Sequence, residues 1–430
     1  MRLLAALLIP AALGSQPPAT RFPPGVTEVA RELTLEDNAD VSGTPTTVLR
    51  PAPGFTGRAL LIVRGHNVRI HDLAIDGNRA ALETRAALPP SEVPFSRFTR
   101  ANGILAEDVT NLTIENVRFR EIAGFAILVA RGRGVTIDRV SVSRAGSRNP
   151  EGRNNSTGGI LLEEGTANFR VTRSDLQNVR GNGIWTHSLY HSPRNGPGEI
   201  AFNTITETAR DAIQVGHASG VRVENNRGSR IGYPVEEIDQ EARAVPVALD
   251  TAGNVDGSVY ANNRFEEIDG KCIDLDGFHD GEIRQNVCIN RGSAPAYPWG
   301  GYGIVMNNSN PDMQSRNITI EGNTIEGAKF GGVFVIGSGH RIAGNRLLNL
   351  NLAHCNEDAA KYGCYYAPGE PEMLEAGIYL GRGADRPSPA RDNVIENNEI
   401  AGFRMDRRCI LRAPGIAQAW NKVANNVCRP

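Results

Sequence analysis

The sequence predicts an all-β fold, a single-stranded right-handed parallel β-helix of roughly 10–12 coils. The first observation is a returning phrase: a small residue or Asn, two residues, an aliphatic, then Asn-x-aliphatic. It stands as Asn111–Val117, Gly220–Asn226, Asn317–Ile325 and Asp392–Ile400. Weaker copies lie at Asn67–Ile75, Gly134–Val142, Asn168–Leu176, Gly198–Ile205, Val255–Phe265, His279–Ile289 and His340–Leu347. The second is an interleaved strand that opens on Gly, Ala or Cys before an aliphatic. It occurs at Gly103-Ile104, Ala126-Ile127, Gly159-Ile160, Gly183-Ile184, Ala212-Ile213, Cys272-Ile273, Gly303-Ile304, Gly332-Val333, Gly377-Ile378 and Cys409-Ile410, and Pro246-Val247 fits the same frame. The third is that apolar residues follow a period of two, and the strands are too close for an intervening helix. Each copy is too short to bury its own apolar side and must stack on its neighbours.

In chain order, Met1-Arg2 and the apolar run Leu3–Leu13 read as a signal peptide over 1–14, with small residues at the cleavage point. The run is too short to span a bilayer, so a secreted or periplasmic product with no membrane partner is expected. Residues 15–44 read as a lead-in and cap, and 45–430 as the solenoid. A chain of 430 residues allows several compact domains, but a repeat grows along one axis without splitting. The net charge of −2 gives no reason to expect nucleic acid. A monomer is expected.

Six cysteines in an exported chain invite pairing. Lys271-Cys272-Ile273 precedes Asn286-Val287-Cys288, and Arg408-Cys409-Ile410 precedes Asn426-Val427-Cys428. The repeated phrase pairs Cys272 with Cys288 and Cys409 with Cys428, leaving Cys355 and Cys364 to close a loop. A metal site is the competing reading, but the spacings are not the close pairs of zinc sites.

With these repeats, the chain resembles the pectate-lyase-like superfamily of parallel β-helix proteins over about residues 45–428. The resemblance implies the fold. It leaves the chemistry open among lyases, hydrolases, epimerases, phage spikes and non-enzymes. Polygalacturonase-type members use aspartates on adjacent coils, but this chain has no Asn-Thr-Asp, Gly-His-Gly or Arg-Ile-Lys.

If each aliphatic of the second series points inward, the first and third residues after it point outward. The third position gives Glu107, Ala130, Glu163, His187, Gly216, Asp250, Asp276, Asn307 and Ile336. The first gives Leu105, Leu128, Leu161, Trp185, Gln214, Ala248, Asp274, Val305 and Phe334. Ionisable character concentrates in the middle coils, as a groove on one face requires. Asp274 and Asp276 share a side, and Asp250 is expected beside Asp276. One protonated and one charged carboxyl are what glycosidic hydrolysis needs. Candidate catalytic residues are therefore Asp250, Asp274 and Asp276. His187, His217, His279, Gln214, Asn307 and Lys271 are candidates for binding an oligo- or polysaccharide. Insertions at about 79–100, 145–157, 188–198, 228–246, 291–302 and 351–375 flank this face. Their aromatics Tyr190, Tyr233 and Trp299, with Trp185, are expected to stack on sugar rings. The recurring Asn226, Asn263, Asn323, Asn345, Asn398 and Asn426 are expected to form scaffold ladders.

A glycoside hydrolase needing no cofactor is the leading reading. A uronate lyase or epimerase, with Lys271 as base and Ca²⁺ as cofactor, is the second. A non-catalytic carbohydrate-binding or surface protein is the third.

Overall fold

The computed structural model describes residues 19–238, 245–355, 364, 370 and 372–430. The expected signal peptide and parts of the 228–246 and 351–375 insertions lie outside them. Each turn of chain visits three sheets in the same order, as Thr110–Glu115, Arg118–Arg120 and Ile127–Ala130 do. The sheets hold 14, 14 and 13 strands, and neighbouring strands run parallel. The result is the expected parallel β-helix, with fourteen turns, the last lacking its third strand. The expected ten to twelve was too few. Thr20–Arg21, Gly25–Val29 and Leu33–Leu35 already pair with the next coil, ahead of the expected start at 45. These coils carry neither repeated phrase, so the pattern did not reveal them.

The third sheet carries the Gly-aliphatic series. Ile104, Ile127, Ile160, Ile184, Ile213, Leu249, Ile273 and Ile304 stand in register, all 1% exposed or less. Burying each such side chain stabilises by roughly 1.5–3 kcal/mol. The preceding small residue has a steric cause. A Cβ on Gly159 would lie 1.7 Å from the Gly183 carbonyl oxygen, and one on Gly183 would lie 2.5 Å from that of Ala212. Backbones of successive coils meet there, and only a small residue fits.

Between the first and second sheets the chain turns through a left-handed residue, such as Asn225, Asn262 and Asn397 with φ of 58°, 57° and 57°. Asn tolerates that conformation. The next residue is a ladder Asn. Asn226, Asn263, Asn286, Asn323, Asn345, Asn398 and Asn426 are each linked to the next by a side-chain amide bond of 2.9–3.0 Å. Each also caps a backbone carbonyl, as Asn263 Nδ2 does for Val223 at 2.8 Å. Asn263→Ala would orphan the Asn226 amides and the Val223 carbonyl, at about 1–3 kcal/mol for each unmet group. The expected result is a lower urea midpoint, with several kcal/mol of stability lost, while Asn262→Ala, outside the ladder, costs less.

Cys272–Cys288, Cys355–Cys364 and Cys409–Cys428 are the disulfides, all as expected. Among the described residues, no helix is long and apolar enough to cross a membrane. Five of the six expected insertions fall between the second and third sheets. The segment at 188–198 falls between the third and the first. Two insertions at that second corner, 308–317 and 381–393, were not anticipated. Together they wall both sides of the third sheet.

Candidate active site

The third sheet is widest in the middle of the solenoid. Val247–Asp256 has 10 residues and Lys271–His279 has 9, against 4 in Ile184–His187. Bulges break the register between Gly216 and Ala218 and between Ala252 and Val255. Such bulges bend a strand and re-aim its side chains.

The outward register differs from expectation in one coil. Leu249, not Val247, pairs with Ile273, so Asp250 pairs with Asp274, and Ala252 pairs with Asp276. Val247 and Leu249 have the same parity. A slip of two residues keeps every side chain on its face, and the apolar pattern is blind to it. The real ladder reads Trp185, Gln214, Asp250, Asp274, Val305, with Gly216, Ala252, Asp276, Asn307 beside it.

A groove of about 400 Å³ opens over this ladder, lined by Arg210, Asp211, Gln214, Asp250, Lys271, Asp274, Asp276, Asn307, Ser309 and Asp385 among others. A comparable hollow of about 500 Å³ at the C-terminal end has, among the described residues, only Arg412 and Lys422 as ionisable lining. In the central groove, Asn182 Nδ2 donates to Gln214 Oε1 at 2.8 Å, which turns the Gln214 amide so that Nε2 donates to Asp250 at 2.5 Å. Asp211 accepts the Val247 N–H at 2.9 Å. Lys271 forms an ion pair with Asp274, whose other oxygen is buried without a hydrogen bond among the described residues. Asp276 accepts from the Ser309 N–H at 2.9 Å and its hydroxyl at 2.5 Å.

Burial, reinforced by the charges of Asp211 and Asp274, holds the Asp250 carboxyl well above the usual range. Burial pushes Asp211 up to about 6 and raises Asp276 as well. Several carboxyls packed this closely cannot all ionise in the same pH range. The site therefore offers a proton donor next to a charged carboxylate.

Of the expected binding residues, Gln214, Lys271 and Asn307 line the groove. Tyr190 is half-exposed at its rim, its hydroxyl pushed up to about 12 by burial and by Asp312 and Asp276. His217 packs its ring 5.2 Å from Tyr190. The others point to different contacts. Trp185 is 8% exposed and meets Phe95 edge-on at 4.9 Å, in an apolar cluster roofed by the 79–100 insertion. His187 belongs to that neighbourhood, 5.6 Å from Phe95, and burial lowers its pKa to about 4. His279 is tied to Asp280 at 2.7 Å and Asn254 at 2.9 Å, beyond the bulge. Tyr233 lies under the Arg230 guanidinium and donates to the Ala296 carbonyl, and Trp299 donates its backbone N–H to Asp269. Loop packing, not the groove, occupies these rings.

Asp211, Arg210, Ser309 and Asp385 were not anticipated. Asp211 stands two residues before core Ile213, as Lys271 does before Ile273, and that shared position was the available signal. Ser309 and Asp385 sit on the unanticipated corner insertions, which carry no aromatic marker.

No curated protein matches this chain in sequence. Solved structures resemble it in fold. A DFA-IIIase from Arthrobacter chlorophenolicus A6, in complex with GF2, is 11% identical with TM-score 0.56, covering 95% of this chain and 88% of its own. PfbA, a surface adhesin of Streptococcus pneumoniae, is 14% identical with TM-score 0.55, covering 79% and 85%. The Dettilon tailspike protein is 15% identical with TM-score 0.54 over 75% of this chain, which spans 59% of the tailspike. The model of the right handed beta helix region matches residues 59–235, 195–347 and 261–410. Those matches span most of the solenoid, and the chain belongs to the right-handed β-helix family.

Proposed function

We propose that this is an exported glycoside hydrolase acting on a neutral oligo- or polysaccharide. The observation that carries the reading is the Asp250–Asp274 pair, adjacent rungs of one outward ladder at the floor of the groove. Asp250, kept protonated by burial and like charge, gives its proton to the glycosidic oxygen as the bond to the anomeric carbon breaks. Asp274, the carboxylate paired with Lys271, takes the proton of the water that adds to the anomeric carbon, so the bond lost to the leaving oxygen is replaced by one to water. Asp276, fixed by Ser309, and Asn307 accept or donate to sugar hydroxyls. Tyr190 offers a ring face at the rim.

Charge favours a neutral substrate. Among the described residues, five aspartates line the groove against Arg210 and Lys271, and both cations already face carboxylates, Arg210 at 3.8 Å from Asp211 and Lys271 on Asp274. A uronate carboxyl would meet repulsion, and the base required for elimination would have to leave its ion pair. These features favour hydrolysis over the lyase reading. The three disulfides fit an oxidising compartment.

The test is a panel of neutral and uronate polysaccharides, read for new reducing ends and for ultraviolet absorbance of unsaturated products. New reducing ends from neutral glycans are expected, without absorbance. Absorbing products from a uronan would overturn the reading, and binding without cleavage of any glycan would favour a surface protein.

A further inference from the structure

Outside the groove, toward the N-terminal end of the same sheet face, lies a second polar constellation. Glu163 and His187 are paired across adjacent strands, and Glu164 follows in the left-handed conformation at φ 56°. One ligating atom from each of the three lies within 4.8 Å of the others. Glu163 is 0% exposed and Glu164 8%. Neither forms an ion pair among the described residues, and Arg131, whose charge reaches Glu163, is held by Asp108 at 2.6 Å.

The hydrogen bonds here leave coordination capacity. Glu163 accepts the Phe95 N–H at 3.0 Å and the Ser96 N–H at 2.7 Å, one on each oxygen. Glu164 accepts the Leu189 N–H at 2.9 Å and the Ser192 hydroxyl. Each oxygen keeps a second lone pair. Among the described residues, His187 Nδ1 is buried with no hydrogen-bond partner, and the ring is packed 5.6 Å from Phe95 and 5.1 Å from Trp185. A buried imidazole nitrogen with nothing to bond among the described residues, beside two buried carboxyl groups with no cation paired to them there, is an incomplete arrangement.

We infer that Glu163, Glu164 and His187 form a site for one divalent transition metal, of the Zn²⁺ class. One nitrogen with two carboxylates suits that class, whereas Ca²⁺ prefers an all-oxygen set. The position also gives the ion a purpose. Glu163 holds the 79–100 insertion through Phe95 and Ser96, and Glu164 holds the 188–198 segment through Leu189 and Ser192. The metal would clamp both loops to the solenoid at one point. Tyr190, on the second loop, reaches the groove rim from that anchor. The inference does not depend on the chemistry of the groove.

The experiment is calorimetric titration of the chelator-dialysed full chain with ZnCl₂, with thermal unfolding in parallel and anomalous diffraction at the zinc edge. One Zn²⁺ per chain is expected, with an anomalous peak among the three side chains and a raised Tm. Glu164→Gln and His187→Gln are each expected to weaken binding by more than about 100-fold, beyond the effect of an outer-sphere loss. Absence of Zn²⁺ binding to the wild-type chain overturns the site, as does a peak elsewhere or a stronger response to Ca²⁺. Variants that bind as tightly as wild type also overturn it. If a variant fails to fold, the wild-type titration and the peak position decide alone.

Discussion

Asp250→Asn and Asp274→Asn are each expected to lower turnover on the cleaved glycan by about 10²–10⁴-fold, the range that a positioned acid or base supplies. The two losses have different origins. Asn at 250 keeps an acceptor for the Gln214 amide but has no acidic proton to give the leaving oxygen. Asn at 274 removes the negative charge and strands Lys271. Because the substitutions are nearly isosteric and both residues lie outside the apolar interior, circular dichroism should stay at wild type. Asp276→Asn should cost less, since its amide oxygen can still accept from Ser309. A wild-type rate in either of the first two variants would remove the pair from the mechanism.

The second large effect is on pH dependence. Asp250 must be protonated to act, so activity is present below its raised pKa and is lost as pH climbs through it. Burial is the main cause of the elevation, and the Asp211 charge is the next. Asp211→Asn removes that like charge and lets Asp250 ionise at lower pH. The alkaline limb of the rate profile should therefore move down by roughly one pH unit. Asp211 itself is pushed up to about 6, so the limb belongs to the pair rather than to one residue. The Asn oxygen can still accept the Val247 N–H, which separates the charge effect from a structural one. A limb that stays in place or moves upward would deny Asp211 this influence.

Most of the fold was legible because its determinants are local. An inward aliphatic with a small residue before it, and an Asn after a left-handed turn, recur along most of the solenoid because each coil stacks on the next through the same steric and hydrogen-bonding contacts. The shared face of Asp250, Asp274 and Asp276 followed from parity alone. What parity could not settle was which residue of Val247 and Leu249 is the core rung, and that choice moved Asp250 from beside Asp276 to beside Asp274. The covering of the groove was less legible still. Trp185 looks like a sugar platform until Phe95, brought over it by an insertion 90 residues earlier, closes that end of the face. Nothing near Trp185 in the sequence says so. Asp211 was missed because it precedes its strand, where alternation has not yet begun. Residues 20–44 were missed as coils because their strands, Leu33–Leu35 among them, lack the marker phrases.

Hydrolysis by the aspartate pair is tested most directly by the origin of one oxygen atom. A cleaved glycan should be digested in H₂¹⁸O by the wild-type chain and by Asp274→Asn, with the products weighed by mass spectrometry. Hydrolysis takes its new oxygen from water. The expected result is one ¹⁸O at each new reducing end from the wild-type chain, formed about 10²–10⁴-fold more slowly by the variant. Cleavage that leaves the new ends unlabelled and yields an unsaturated sugar would contradict hydrolysis. Labelling by Asp274→Asn at the wild-type rate would contradict the assignment of the pair.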